Sequence, residues 1–577
     1  MCDRRRVGAL LYSLVMPWGD KTINWKIAGA AGLGIKSTGE VMAKALSRSG
    51  LHINGYTEYP SLIRGGHNTY QVLASEKQVC NPRWNLDILV ALNEEGVVLH
   101  EDEIDERTKI VVDESVKVES NKGKLIQVPL LEKAKELGNP IVQNVIALGV
   151  SAALIGVEIS IFEELIEEEF GKKKELLEIN KKALRVGWEL AGEERQVDLR
   201  KRADKPRMVM SGSEAVAMGA MAAGVQLYCA YPMTPATPVM HFLAKHQDKY
   251  DLVVRQTEDE IAAVNMAIGA SFAGVKAMTG TSGGGFALMQ EGISLAGMLE
   301  LPLVVMLAMR PGPATGLPTW SSQTDLRFAI HAGHGEFAKI VLAPGDPVEA
   351  YELSYKAFEL AQKYQTVVIL LTDKLLAESH YSVELLEEKP VVEVSNVTDK
   401  PKKPEEEMFH RYQPSANGVS ERTLPGLANG YYVANSDEHG PEGLVDESAE
   451  MREVMVRRRM LKLRSIESDM ALPVIYGSEE TKLSLVGFGS VKGVALEVIK
   501  ELDDVNYIHF NHVWPMPSKA REVLEGRKLV FLENNMTGQL EGLVREYLGL
   551  GGISNIRKDD GRPFYVDEVV NLVKRII

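Results

Sequence analysis

Three short segments between Tyr228 and Thr319 carry residue types that can do chemistry together. Tyr231-Pro-Met-Thr-Pro-Ala-Thr-Pro offers hydroxyls after a proline-stiffened turn. Glu258-Asp-Glu-Ile-Ala-Ala-Val-Asn-Met-Ala-Ile-Gly offers carboxylates where a helix would start. Arg310-Pro-Gly-Pro-Ala-Thr-Gly-Leu-Pro-Thr sets a guanidinium in a glycine–proline loop. Arg310 can grip a carboxylate in a two-pronged fork, with Thr234 as a second donor. Glu260 is then left without a partner unless a ligand presents a nitrogen to it. The competing readings are structural: a helix dipole favours a carboxylate in its first turn, and an arginine in such a loop can bridge domains.

Each segment follows an apolar run that reads as a buried strand: Val225-Gln-Leu-Tyr-Cys-Ala, Leu252-Val-Val, and Leu301-Pro-Leu-Val-Val-Met-Leu-Ala-Met. Ligands bind off the carboxyl ends of strands in an open parallel sheet, so the three segments should converge on one crevice. From about Met208 to Ser379 strands and helices alternate, with further strands expected at Lys276-Ala-Met-Thr, Ile340-Val-Leu and Val367-Val-Ile-Leu-Leu, and with Ser211-Gly-Ser-Glu as a helix cap. The fold class is α/β, with several doubly wound domains. Thr279-Gly-Thr-Ser-Gly-Gly-Gly-Phe lacks the Lys-Ser/Thr ending of a phosphate loop, so its glycines suit a close backbone approach to a ligand ring or a partner subunit.

Upstream, a strand from Ile23 enters Gly29-Ala-Ala-Gly-Leu-Gly-Ile-Lys-Ser and a helix to about Arg48. Gly29, Gly32 and Gly34 could offer backbone N–H groups to a phosphate, but the spacing is not that of a dinucleotide turn. Tight strand-to-helix packing explains these glycines equally well. Further strands are expected at Tyr70, Ile88 and Ile110, after the loop Tyr59-Pro-Ser-Leu-Ile-Arg-Gly-Gly-His-Asn with Arg64, Gly65 and Gly66. Glu163 to Glu193 reads as one long amphipathic helical stretch with a solvated charged face, and Arg195 to Pro206 as a linker. Glu387 to Ile466 reads as a long excursion without a core of its own. Lys482 to Ile577 returns to a βαβ pattern.

A chain of 577 residues should form three or four domains of roughly 100–200 residues each. The net charge of −15 argues against a nucleic-acid surface and against binding anionic membrane. No apolar run approaches the ~18 residues of a spanning helix. The three cysteines, Cys2, Cys80 and Cys229, are too few to hold a four-thiolate iron–sulfur cluster, and no CxxC occurs. They point to a reducing, cytoplasmic setting. Arg4-Arg-Arg and the apolar run from Val7 imitate a signal peptide, but Pro17-Trp-Gly-Asp follows instead of a small-residue cleavage site. Met16 is an alternative start. Asp437, Glu438 and His439 are consecutive, a pattern that rarely converges on one ion, so no metal site is expected on this chain.

Tyr-Pro-Met-Thr-Pro, the Glu258-Asp-Glu-Ile-Ala-Ala segment, Thr281-Ser-Gly-Gly-Gly-Phe-Ala-Leu-Met and the Arg310 loop together resemble the alpha subunit of 2-oxoacid:ferredoxin oxidoreductases, above all the 2-oxoglutarate branch, from about residue 24 to the C-terminus. The resemblance implies a thiamine diphosphate enzyme in which Glu260 meets N1′ of the aminopyrimidine ring and favours its imino tautomer. The spacing from Glu260 to Ala262, Ala263, Ala267 and Gly269 matches that use, and Glu258 is the substitute candidate. By the same resemblance Arg310 clamps the 2-oxoacid carboxylate, Thr234 and Tyr231 face the substrate, and Gly29, Gly32, Gly34, Arg64, Gly65 and Gly66 mark a coenzyme A region.

The implied division is an N-terminal tail (1–22), a gamma-type domain (23–194), a linker (195–206), a pyrimidine-binding-type domain (207–380), the excursion (381–470) and a transketolase C-terminal-like domain (471–577). Asn534-Asn535 imitates the end of a diphosphate-binding signature, but no Gly-Asp-Gly occurs in the chain. The resemblance therefore assigns the diphosphate cradle, Mg2+ and a [4Fe-4S] cluster to a beta subunit, in an αβ or (αβ)2 assembly that passes electrons to ferredoxin and an acyl group to coenzyme A, releasing CO2. The chain departs from the family at Pro311, where glycine is common, at Ala314, where serine is, and at Trp320, where a basic residue is. These departures bear on the far end of the substrate. Asp325, His331 and His334 follow closely without an assigned role. Two rival readings are a nicotinamide-dependent oxidoreductase built on the glycine turn and a non-catalytic scaffold or regulatory subunit of the same fold.

Overall fold

Buried aliphatic runs ended by glycine, proline or capping side chains build three β-sheets with helices between their strands. A computed structural model describes residues 22–62, 65–118, 122–196, 200–398, 408–427 and 431–577. The signal-like stretch, Met16 and Arg64 lie outside the described residues. The chain divides into two compact units. One runs to Met210 and includes Ser379–Leu385 and Tyr565–Asp567; the other comprises Ser211–Glu378, Leu386–Phe564 and Glu568–Ile577. Among the described residues no helix is long and apolar enough to cross a membrane.

In the first unit the strands lie in the order Lys124–Val128, Lys109–Asp113, Ile88–Ala91, Thr22–Ala30, His67–Ser75, His52–Glu58, His380–Val383 and Met208–Ser211. The first four run parallel. The next three run antiparallel to their neighbours, so this sheet is mixed rather than doubly wound throughout. The loop between Glu58 and His67 is too short for a parallel crossover, which needs a dozen or more residues. The strand His52–Glu58 is not among those expected; Gly55 sits in its middle, where a β-carbon would lie 2.8 Å from the Tyr70 hydroxyl.

The expected long helix is two, Ile159–Phe170 and Lys174–Leu190, broken at Gly171. Their charges pair across the break, Arg185 with Glu163 at 2.6 Å and Lys181 with Glu167. The stretch expected as a linker is tied down within this unit: Arg200 donates its N–H to Gly156 and accepts from Glu158.

The second unit holds a seven-stranded sheet in the order His512–Trp514, Lys339–Leu342, Val367–Asp373, Leu303–Met309, Ala277–Thr281, Leu227–Ala230 and Val253–Gln256. All pairs are parallel except that of His512–Trp514 with Lys339–Leu342. Leu303–Met309 is buried along its whole length, as expected. Val253–Gln256 is not: it is the edge strand, and Val253 is 47% exposed. Ser211 and Glu214 form the anticipated reciprocal cap. A five-stranded sheet, Val474–Tyr476, Val505–Phe510, Leu483–Phe488, Leu529–Glu533 and Ser554–Arg557, completes the unit. Its Phe488, Ile508 and Phe531 join Val305 and Leu307 of the larger sheet in one apolar cluster.

The excursion after Glu387 is held by charge. Buried Arg411, Arg458 and Lys462 surround Glu300: the guanidinium of Arg411 donates to its carbonyl at 2.9 Å, and Arg458 and Lys462 pair with its carboxylate. Burial alone would raise the Glu300 pKa, but Lys462, Arg458 and Arg411 hold it at about 2. Glu438 is claimed by Arg452 and Arg459, and among the described residues no group of metal-ligating side chains forms. Asn534 and Asn535 are buried and bonded to Gln323, a structural role for the pair that imitated a signature.

Candidate active site

Three neighbouring strands of the seven-stranded sheet deliver the segments singled out by sequence. Leu227–Ala230 leads into Tyr231–Thr237, Ala277–Thr281 into the triple glycine, and Leu303–Met309 into Arg310. The helix Glu260–Phe272 follows the edge strand and is capped by Asp259, whose carboxylate accepts the N–H of Ala262 at 2.7 Å. Asp259 thus serves the backbone and leaves Glu260 free of that duty. The two other acidic candidates separate: Glu258 is exposed, whereas Glu260 is 3% exposed.

Among the described residues no cation pairs with Glu260. Its one hydrogen bond comes from the Thr281 hydroxyl at 3.4 Å, and that oxygen also lies 3.7 Å from the Met233 sulfur. A β-carbon on Gly285 would fall 2.3 Å from Glu260 Oε1 and 2.1 Å from Thr281 Oγ1. The close approach expected at the triple glycine is therefore, at Gly285, an approach to the Glu260 carboxylate. A buried ionisable acid with one long contact suits an incoming ring nitrogen as its partner, so the residues present fit the aminopyrimidine of thiamine diphosphate.

Arg310 is half-buried and donates from Nη1 to the carbonyl of Thr234 at 2.7 Å. Sequence alone pairs Arg310 with Thr234 as two donors to one ligand; the structure adds a direct bond between them. That bond fixes the guanidinium against the Tyr231–Thr237 segment, where Tyr231 is 40% exposed. Ala314, in the same loop, takes a left-handed backbone at φ 53, an uncommon state for a residue other than glycine.

Asp325 is the residue whose place sequence reasoning missed. Its Oδ2 lies 2.8 Å from where a β-carbon of Gly283 would stand. Burial pushes its pKa up to about 6, against the pull of the nearby Arg310. Burial likewise lowers that of Arg310, opposed by Asp325. The only signal for it in sequence is an acidic residue shortly after the Arg310 loop; no spacing rule says that the chain turns back to face that loop. The Arg562 guanidinium covers the Trp320 ring at 3.3 Å, so a cation does stand beside the departure from family pattern.

In the first unit, Ala31 N–H bonds to the carbonyl of Gly66 at 2.9 Å, which ties the glycine turn to the Gly65-Gly66 loop. Gly34 is left-handed at φ 72, and a β-carbon there would strike the Asn144 amide at 2.2 Å; Gly29 packs on Leu92. Packing thus explains these two. Gly32 and Gly65 have open space where a side chain would be.

The chain is similar to several known proteins. A family model described as pyruvate flavodoxin/ferredoxin oxidoreductase, thiamine diphosphate-binding, matches residues 218–457. Another, described as pyruvate ferredoxin/flavodoxin oxidoreductase, matches residues 24–190. The 2-oxoacid:ferredoxin oxidoreductase subunit alpha of Sulfolobus sp. is 33% identical across 96% of this chain and 97% of its own. The 2-oxoglutarate oxidoreductase subunit KorA of Mycobacterium tuberculosis is 26% identical across 95% of this chain and 90% of its own. A solved 2-oxoglutarate:ferredoxin oxidoreductase from Magnetococcus marinus, with 2-oxoglutarate, coenzyme A and succinyl-CoA bound, superposes with a TM-score of 0.87 at 31% identity, covering 96% of this chain and 99% of that one.

Proposed function

The chain belongs to the 2-oxoacid:ferredoxin oxidoreductases as an alpha subunit, and from that premise we propose that it acts on 2-oxoglutarate, with coenzyme A as acyl acceptor and ferredoxin as electron acceptor. The products are the acyl-CoA, CO2 and reduced ferredoxin. Thiamine diphosphate, when bound, supplies the nucleophilic carbon and takes up the electron pair left when CO2 departs. Glu260 would hold the ring nitrogen N1′, with the Thr281 hydroxyl fixing its carboxylate and the backbone at Gly285 closing over it. Arg310, braced on the Thr234 carbonyl, would grip the substrate's 1-carboxylate and orient its ketone, next to Thr234 and Tyr231.

The observation that carries the reading is the buried Glu260 carboxylate, left without a cation while Arg310 is anchored to the neighbouring segment. Arg562 over Trp320 supports a substrate with a second carboxylate, since it places a cation next to the Arg310 loop. A beta subunit completes the enzyme in an αβ or (αβ)2 complex, supplying the diphosphate cradle, Mg2+ and the [4Fe-4S] cluster. We place Gly29, Gly32, Gly34, Arg64, Gly65 and Gly66 in the coenzyme A region, keep the domain division given by resemblance, and assign the protein to the cytoplasm.

The test is to purify the chain with its native partner and measure thiamine diphosphate, iron and substrate-dependent ferredoxin reduction. The expected result is bound thiamine diphosphate, iron that travels with the partner, and turnover that needs coenzyme A and prefers 2-oxoglutarate to pyruvate. A complex that turns over without thiamine diphosphate overturns the reading; a preference for pyruvate overturns the substrate.

A further inference from the structure

The segment after Arg310 folds back on itself and lies against a second arginine. Leu317 donates its N–H to the Pro311 carbonyl at 3.0 Å, and Trp320 donates its own to Leu317 at 3.1 Å. Gly561, left-handed at φ 81, rests on this loop. A β-carbon on it would stand 3.2 Å from Leu317 Cδ1 and from Trp320 Cβ, and 3.7 Å from Pro311 Cγ. The Gly561 carbonyl accepts the N–H of Ser321 at 3.0 Å. Buried Asn534 then secures the next residue, donating from Nδ2 to the Arg562 carbonyl at 3.3 Å and to that of Lys558 at 3.2 Å. The backbone of Arg562 is thereby fixed beside the loop that Arg310 begins.

The Arg562 guanidinium is half-buried and lies 3.3 Å from the Trp320 ring centroid. Its one hydrogen bond among the described residues is long, 3.4 Å from Nη1 to the Asp560 carbonyl. The Asp560 carboxylate is spent on the Arg562 backbone N–H at 2.8 Å, and among the described residues no carboxylate pairs with the guanidinium. Acids are not scarce, since the chain has 80 acidic residues against 65 basic ones. An arginine stays charged in proteins, so this is a cation held flat on an aromatic face with most of its donors unused. The space beside it is open: Gly312 to Leu317 are exposed, and nothing stands where a β-carbon of Gly312 would be. An extended five-carbon diacid has its carboxylate carbons about 5 Å apart, four carbon–carbon bonds of ~1.5 Å. Two guanidiniums rooted on touching segments suit the two ends of such a molecule.

We propose that Arg562 binds the second carboxylate of a dicarboxylic 2-oxoacid and so decides which substrates the enzyme takes, with Trp320 as its positioning residue. This rests on the reading above, in which Arg310 grips the 1-carboxylate. The basic residue common at position 320 in the family is then replaced by one that stands over the same position from 562.

The test is steady-state ferredoxin reduction by the complex assembled with its native partner, with coenzyme A present. The substrates compared are 2-oxoglutarate and 2-oxobutyrate, which lacks the second carboxylate. Arg562→Gln is expected to lower kcat/KM for 2-oxoglutarate ~10–100-fold, mostly through KM, the size of a charge-assisted hydrogen bond. The value for 2-oxobutyrate should stay within ~2-fold. Arg562→Lys keeps the charge without the plane; it should lose part of the preference and guards against a folding defect in the glutamine variant. Trp320→Leu should raise the KM for 2-oxoglutarate by less than Arg562→Gln does. A parallel loss for both substrates, or a preference undiminished in either Arg562 variant, overturns the inference and leaves the 2-oxoglutarate reading standing. A wild-type complex that prefers 2-oxobutyrate overturns both.

Discussion

Glu260 and Glu300 belong to the same unit and are equally buried, at 3% and 2% exposure, yet their surroundings are opposites. Glu300 is ringed by Arg411, Arg458 and Lys462, which come from a distant part of the chain and are themselves buried. Its backbone is left-handed at φ 53, and each of its carboxylate oxygens faces a cation. Among the described residues Glu260 has no cation beside it and one long bond from a hydroxyl. A buried carboxylate saturated by its own chain is a fastening; one that the chain leaves under-satisfied is kept for something that arrives later. Burial does not distinguish the two. Partner count does.

That contrast can be broken from either side. Glu260→Gln in the assembled enzyme is expected to lower kcat by ~10²–10⁴-fold, the range for a proton-handling group, with a melting temperature near wild type. Turnover close to wild type would mean that the under-satisfied acid is idle and would favour the scaffold reading. Glu300→Gln should do the reverse. It strands two buried cations, Arg458 and Lys462, and is expected to cost ~3–5 kcal/mol of stability, read by chemical denaturation. Because the Glu300 pKa is depressed, its contribution is full above the ordinary carboxylate range and is lost as pH falls toward about 2. The stability gap between wild type and Glu300→Gln should therefore shrink in acid.

Two smaller effects sharpen the comparison. Arg310→Lys keeps the charge but loses the planar fork, and the KM for the 2-oxoacid should rise ~10–100-fold, with little change in the KM for coenzyme A. An equal rise in both would assign Arg310 to general architecture. Asp325→Asn should stabilise the protein by ~1–2 kcal/mol, but only where the wild-type group is charged. Its folded pKa is raised to about 6 from an ordinary value of 3.8. The penalty is absent below about 4, grows between there and about 6, and is complete above. Thermal melts at pH 8 should then separate the variant from wild type, and melts near pH 4 should not.

The site is legible in sequence where the signal is local. Tyr231–Thr234, Glu260 and Arg310 each stand just beyond a strand or in the first turn of a helix, so motif and position coincide. Thr281, Gly285 and Asp325 are not legible in the same way. They meet Glu260 and Arg310 because Ala277–Thr281 lies between Leu227–Ala230 and Leu303–Met309 in the sheet, and no spacing along the chain records that order. The same limit appears in the fold. The alternation of apolar runs shows the parallel sheet of the second unit, but Val253 reads as buried when it faces solvent, since hydrophobicity does not say which strand is last. His52–Glu58 carries a glycine in its middle, and the close approach of the Tyr70 hydroxyl that requires Gly55 is not recorded in local sequence. The excursion looks unanchored because its fastening is ionic, and arginines in a polar stretch read as surface.

The short strand His512–Trp514 belongs to the C-terminal part of the chain, after the helix Val491–Glu501, yet it hydrogen-bonds to the edge of the seven-stranded sheet. The seven-stranded sheet is thus complete only once residues 512–514 have been synthesised. Until then Lys339–Leu342 stands as an open edge, on the opposite side of the sheet from Val253–Gln256. A gene split anywhere between the excursion and residue 512 would leave the closing of that edge to a separate chain, which makes the region a poor place for natural fission or for a recombination junction.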